Sequence, residues 1–392
     1  MLRSMYSGIS GLKNFQTKLD VIGNNIANVN TYGFKKGRVT FKDTMNQTIA
    51  GASAATENRG GKNPTQVGLG ATLATIDTIH TQSSLQTTGR SLDLAIDGDG
   101  YFVLSQGNAN FYTRAGNFYL DNNGTLVNGD GLKVQGYPVD ANGNRLSAFG
   151  DIIVNVNAQM SPTPTSEITI TGNLSATATE NTSYPQQIEV IDSLGNPHKL
   201  EMVFTKTANA DEWEVSVDGT SIGFIDFNAL DPNDLTWSFD FDGDSTPDPI
   251  TFNFDNFTQS GNESTASVIT NGNTAGSIES FNVGAMGEIN AVYSNGLVTT
   301  IGVLAIAKFS NSSGLTKAGN NLFQQSINSG TPNIAAPGEG RGTIASGALE
   351  MSNVDLSEEF TEMIVAQRGF QANTRIITTS DEILQELVNL KR

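Results

Sequence analysis

Residues 360–388 read FTEMIVAQRGFQANTRIITTSDEILQELV. Phe360, Met363, Phe370, Ile377, Leu384 and Val388 fall in one heptad frame, and Ile376, Ile383 and Leu387 widen the face. Steps of three and four place apolar side chains along one side of a helix. The opposite end of the chain repeats the pattern: Leu2, Met5, Ile9 and Leu12, then Phe15, Leu19, Ile22, Ile26 and Val29. A lone amphipathic helix is marginal in water and needs a partner for its stripe. The available partners are the other end of the chain and further copies of it. The two ends therefore point to a self-assembling subunit, a homopolymer, and not to a catalyst.

The body between the ends has a different character. The chain has 392 residues, enough for two or three domains. It holds 41 glycines, only 16% charged residues, and much Asn, Thr and Ser, which is the composition of a turn-rich β protein. Cys is absent, which excludes disulfides, thiolate metal sites and thiol redox chemistry. His80 and His198 are the only histidines, which excludes a multi-histidine metal site. No cofactor is expected. Met1–Gly8 is too interrupted for the apolar core of a signal peptide, and the longest apolar run, Ile301–Ala307, is far too short to span a membrane. The expectation is a chain without membrane insertion, either cytoplasmic or exported without a cleaved signal.

The net charge of −18 is unevenly spread. Residues 160–290 hold 20 acids against Lys199 and Lys206, so this window carries the whole net charge and the remainder is neutral. The first fifty residues are basic, with Arg3, Lys13, Lys18, Lys35, Lys36, Arg38 and Lys42 against Asp20 and Asp43. Copies of an acidic segment repel one another unless it points into solvent. Such a field also disfavours nucleic acid as a partner.

Along the chain, residues 1–30 read as helix, weakened by Gly8, Gly11 and Gly23 at about 1 kcal/mol each. Residues 31–90 contain no aromatic from Asp43 to Gly100 and read as an extended connector with short strands near Ala71–His80. Residues 91–155 alternate as strands, with turns at Gly98-Asp99-Gly100, Asn123-Gly124, Asn128–Gly131 and Asn142–Asn144. The Pro/Thr/Ser stretch near 159–166 marks a boundary, and 156–284 forms a separate acidic β insert. Residues 285–350 return to the inner β domain with 91–155. The helix over 355–392 joins residues 1–30 in a terminal domain. Glu358 and Glu359 at its start and Lys391-Arg392 at its end suit the helix dipole.

Three segments are recognisable. The first runs from Ser7-Gly8-Ile9-Ser10-Gly11-Leu12 through Leu19-Asp20-Val21-Ile22-Gly23-Asn24-Asn25-Ile26-Ala27-Asn28-Val29 to Tyr32-Gly33-Phe34-Lys35. The second is Asp93-Leu94-Ala95-Ile96-Asp97-Gly98-Asp99-Gly100-Tyr101-Phe102. The third spans Leu349–Leu356 and Gln367-Arg368-Gly369-Phe370-Gln371-Ala372-Asn373. Together they resemble the axial proteins of the bacterial flagellar rod and hook. Val354–Phe360 and the long acidic insert are most similar to hook-type members; a distal rod subunit is the alternative. The resemblance implies terminal helices that pair as a coiled coil lining a tube, around which nested antiparallel β domains form a mainly β fold with α-helical termini. It implies a curved, flexible joint, with the distal rod, hook cap and hook–filament junction proteins and the type III export apparatus as partners. It places the chain in the hook, outside the cell.

Other signals compete. Gln367, Thr374 and Asp381 interrupt the C-terminal heptad. They either set register as buried polar positions or face a neighbour or the lumen. Asp240, Asp242, Asp244 and Asp248 alternate like a calcium loop, but Ser245 stands where the turn glycine belongs and Thr251 where the bidentate Glu belongs. An acidic hairpin turn is the plainer reading. A secreted acidic β protein, binding surfaces with calcium, is the alternative of another class. Asp97–Gly100 reads as a tight turn. No pair of carboxylates is marked out for general acid–base work, so the chain is read as no enzyme. The cluster Lys35, Lys36, Arg38 and Lys42 is read as meeting acidic surface on a neighbour or as solvated.

Overall fold

The computed structural model describes residues 2–57, 59–140, 144–155, 158–227, 236–239 and 248–390. The chain divides into two compact units. Met1–Val154, Asn282–Asn290 and Thr300–Arg392 make the first; Asn155–Phe281 and Ala291–Thr299 make the second. The sequence reading had left 291–299 in the inner β domain.

In the first unit, helix α1 spans Leu2–Ala27 and helix α2 spans Leu356–Asn389. Asp355 caps α2: its carboxylate accepts from the Ser357 amide at 2.8 Å and the Glu358 amide at 3.4 Å, meeting donors that a helix start leaves unpaired. Residues 37–78 form a two-tier hairpin arm in place of a plain extended connector. Gly37–Asp43 pairs antiparallel with Ala71–Thr78, and Asn46–Ala50 with Thr65–Gly68. The outer tier is exposed at every position, with Met45 and Ile49 in water.

The β body of this unit centres on Tyr101–Gln106, which pairs antiparallel with Ala109–Thr113, Lys133–Pro138 and Ile306–Lys308. Tyr101, Val103, Tyr112, Ala307, Phe309, Leu315 and Phe323 form one buried cluster. Leu94–Asp97 pairs with Thr343–Ser346, not with Tyr101–Gln106. Residues 97–100 are therefore a corner between sheets and not the turn of a hairpin. A Cβ on Gly100, at φ +142°, would lie 2.2 Å from Ile306, so the corner needs glycine there. The loops expected at 121–132 are real turns. Asp121 accepts from the Asn123 and Thr125 amides, and Asn128 from the Asp130 and Leu132 amides, which is how Asp and Asn side chains substitute for backbone in turns. The Asn142-Gly143 turn lies outside the described residues.

The second unit has its own core, which includes Ile168, Ile170, Phe204, Trp213, Val215, Phe252 and Phe254. One sheet is a meander of Ser183–Ile191, Pro197–Lys206, Glu212–Val217 and Thr220–Asp226. The strand Glu212–Val217 alternates buried and half-buried positions as a half-buried strand must. The other sheet pairs Glu167–Leu174 with Ser267–Thr270 antiparallel and with Asp248–Gln259 in parallel. That one parallel pair departs from an all-antiparallel plan. A parallel pair needs a long crossover, and here the chain between its strands supplies the whole meander. Asp240, Asp242 and Asp244 lie outside the described residues, as does the side chain of Asp248.

Candidate assembly site

The two helices of the first unit lie antiparallel. Gly8 faces Ile377, Gly11 faces Asn373, and Gly369 faces the Phe15 ring. Lys18 pairs with Glu362 at 3.0 Å, and the Asn25 amide donates to Glu359 at 3.1 Å. A Cβ on Gly369 would sit 2.5 Å from the Phe15 ring. Read as weak points in the sequence, Gly8 and Gly11 lie on the helix–helix seam, where a missing Cβ lets the backbones approach; Gly23 faces open space.

The seam on α2 keeps Met363, Ile377 and Leu384 of the frame read in the sequence, while its other heptad position lies one residue earlier, at Glu359, Ala366 and Ser380 in place of Phe360, Gln367 and Asp381. Glu359, Ala366 and Ser380 are buried, and Met363, Ile377 and Leu384 are half-buried. Phe360, Phe370 and Val388 are exposed at 49%, 37% and 68%. Gln367, Thr374 and Asp381 are exposed as well, so they do not sit in the intramolecular seam. One residue turns a helix by about 100°, enough to bring the small residues Ala366 and Gly369 toward α1. Polar seam residues are satisfied within the helix: Asn373 donates to the Gly369 carbonyl and Ser380 to the Ile376 carbonyl. On α1, Ile22 is buried, Met5, Leu12, Leu19 and Ile26 are half-buried, and Ile9 is exposed. The side chain of Leu2 is outside the described residues. Large apolar side chains thus remain in water on α2, Phe360 and Ile364 on one face and Ile376, Ile383 and Leu387 on another. Exposed apolar surface of this extent marks an interaction face.

Where the helices meet the β body, four chain segments lock together. Lys35 Nζ contacts Glu350 Oε1 at 2.6 Å, with both side chains fully buried. Arg114 reaches Glu350 Oε2 at 3.3 Å. Lys35 also donates to the Thr81 carbonyl at 2.7 Å, and Glu350 accepts from the Ser83 amide at 3.0 Å. Asn353 ties the same segments: it accepts from the Lys36 amide at 2.7 Å and donates to the Ile79 carbonyl at 2.8 Å. Asn25 makes two bonds to Gly37, each 2.9 Å, so α1, α2 and the arm share one residue. Burial pushes the Lys35 amine below the ordinary lysine range, although Glu350 pulls it back. The basic cluster is thereby reassigned. Lys35 meets Glu350, Lys36 meets Glu358 at 2.7 Å, and Arg38 meets Asp77 at 3.6 Å, all within the chain. Only Lys42 stays simply exposed. Asn25, Glu350 and Asn353 stand in the recognisable segments with no role legible there, and Lys35 there belongs only to a basic cluster. Their partners are hundreds of positions away, and one sequence does not show pairings.

His80 borders this clamp, 2.7 Å from the Tyr101 hydroxyl and packed on Phe323. Burial, then the charges of Lys35, Lys317 and Arg114, bring its imidazole down to about 4. The unfolded chain protonates it near 6.5, so stability is full above that pH and falls as pH drops toward 4. We expect a loss of up to ~3 kcal/mol across that window, and a smaller one in His80→Gln. Urea unfolding at both ends of the window checks this; equal acid loss in the two proteins would refute it.

Paired terminal helices, nested β units and large apolar side chains left exposed on α2 are the features of a self-assembling axial subunit. Comparison with known proteins gives the particular family. Residues 5–35 match the family described as flagella basal body rod protein, and residues 345–390 the C-terminal domain of flagellar basal body rod FlgEFG proteins. Residues 95–178 match the flagellar hook protein FlgE/F/G D1 domain, and residues 155–244 the flagellar basal body protein FlaE D2 domain. The chain is 41% identical over 443 residues to the flagellar hook protein FlgE of Borreliella burgdorferi, covering all of both chains. It is 43% identical over 394 residues to a Bacillus subtilis protein named flagellar basal-body rod protein FlgG, again covering all of both. Against FlgE of Escherichia coli the identity is 33% over 421 residues, covering 98% of each. The crystal structure of Helicobacter pylori FlgE2 shares the fold at TM-score 0.52 and 14% identity, covering 68% of this chain and all of that one. The chain belongs to the flagellar hook and rod protein family typified by FlgE.

Proposed function

We propose that this protein is the repeating subunit of a flagellar hook, a curved and flexible tube that carries torque from rod to filament. The observation that carries this reading is the α1–α2 pair, closed on itself along a seam of small residues yet leaving large apolar side chains on α2 exposed on both flanks of that seam. Those side chains, including Phe360, Ile364, Ile376, Ile383 and Leu387, pack on neighbouring copies in the tube. The net charge of the acidic second unit keeps copies from locking together. The distal rod, the hook cap and the hook–filament junction meet the two ends of the polymer. The chain leaves the cell through the type III export apparatus.

A straight rod is the second reading, carried by the name of the Bacillus subtilis relative. Hook-named relatives at 33–41% identity favour the curved tube. Electron microscopy of polymer grown from purified protein separates them: we expect curved tubes, and straight rods would reverse the choice. Ending the chain before Phe360 is expected to abolish polymer while the second unit stays folded. Deleting 160–285 is expected to leave tubes with altered curvature; loss of all tubes in that deletion would mean that the terminal helices do not carry assembly.

A further inference from the structure

Beside the clamp lies a feature that assembly through α2 does not use. A cavity of about 280 Å³ is lined by residues that include His80, Asp99, Tyr101, Arg114, Lys308 and Ser312. Its walls carry two permanent cations, Arg114 and Lys308, against one carboxylate. That carboxylate, Asp99, is 81% exposed and lies 3.6 Å from Lys308. Behind the wall, Lys35 adds a cation for each carboxylate that Glu350 supplies, and Lys317 adds another, donating to the Lys35 carbonyl at 3.2 Å. The cluster is therefore positive by more than its own acids offset.

Two buried nitrogens at this cavity, Arg114 Nε and His80 Nε2, have no hydrogen-bond partner among the described residues. Arg114 is only 4% exposed, and its terminal nitrogens already bond the Ile96 and Gly98 carbonyls and Glu350. A buried donor left unmet is costly. The Tyr101 hydroxyl and His80 Nδ1 lie 2.7 Å apart; in the tautomer where the hydroxyl donates, the imidazole proton is on Nε2 and is a second unmet donor. Lys308 Nζ donates to the Gly340 carbonyl at 3.1 Å and has further N–H groups to offer. Water would meet the N–H groups but not the surplus charge. A compact anion that only accepts hydrogen bonds meets both.

We propose that this cavity binds a small oxyanion through Arg114 Nε–H, His80 Nε2–H and Lys308. The oxyanion comes either from solution, as a phosphate-like ion, or from a carboxylate of a neighbouring copy. Only the second source depends on the polymer reading.

The chain has two histidines, so a His198→Gln variant assigns the His80 resonance in NMR titrations of the full chain. In the monomer, phosphate is expected to raise the His80 midpoint over matched chloride by about one pH unit or more, as an anion within a few ångströms does. Lys308→Ala is expected to weaken that phosphate response several-fold. In polymer, a midpoint still moved by phosphate supports the free ion. A midpoint already raised in chloride and unmoved by phosphate supports a neighbour's carboxylate. A His80 midpoint unmoved in monomer and polymer alike overturns the proposal, since water alone then fills the site. A phosphate shift that Lys308→Ala leaves intact also overturns it, as a general salt effect.

Discussion

Glu350→Gln is expected to cost the first unit about 3–5 kcal/mol, the range for breaking one side of a buried ion cluster. The neutral amide leaves Lys35 and Arg114 buried beside each other without their shared carboxylate. It also weakens the bond from the Ser83 amide that anchors the arm's return strand. Against a typical domain stability of about 5–15 kcal/mol, that loss is large. Calorimetry should show the first unit's transition falling by on the order of 10 °C, while the second unit, with its own core, keeps its midpoint. Replacing the whole cluster tests the cause. A Lys35→Met, Arg114→Met, Glu350→Leu triple variant should be closer to the parent than Glu350→Gln, because no charge is left buried alone. If Glu350→Gln unfolds at the parent's midpoint, the clamp is not what holds the ends to the body.

Gly33→Ala is the second large effect. Gly33 sits at φ +69°, and a Cβ there would lie 2.5 Å from the Ala115 amide nitrogen. Its own amide donates to the Glu350 carbonyl at 2.8 Å. Alanine in the left-handed region costs about 1 kcal/mol by itself, and the clash is with backbone that carries Arg114, so it cannot be relieved by a rotamer change. We expect α1 to detach from the β body and polymer yield to fall at least tenfold. Protection of the α1 amides in hydrogen exchange reads the detachment directly; unchanged protection would contradict it. Gly369→Ala should be milder, since the Phe15 ring it meets is the far end of a side chain and alanine favours the helix.

The sequence made the helices legible because their periodicity is long. The helices read over 1–30 and 355–392 are observed at Leu2–Ala27 and Leu356–Asn389. Register was not legible. Met363, Ile377 and Leu384 of the frame lie in the α2 seam, but its other positions include Ala366 and Gly369, whose small size leaves no hydrophobic signal, while Phe360 and Val388 are exposed. The corner at Gly98–Gly100 looked like a hairpin because local sequence cannot show that Leu94–Asp97 pairs with a strand 246 positions ahead at Thr343–Ser346. The clamp was in view as residues and hidden as a site, because a lysine in a basic run looks solvated until its acid is found.

That clamp joins Lys35 to a residue 315 positions later, and Asn25 to one 334 positions later. A chain made or delivered N-terminus first therefore holds α1 and the arm without their partners until nearly all of it has emerged. Loop closure over such spans is slow compared with local folding. The second unit, lying wholly between the two halves of the lock, has time to form its core beforehand. The order of events is written into the topology: body first, ends last, so the surface that joins copies together ripens only when the subunit is whole.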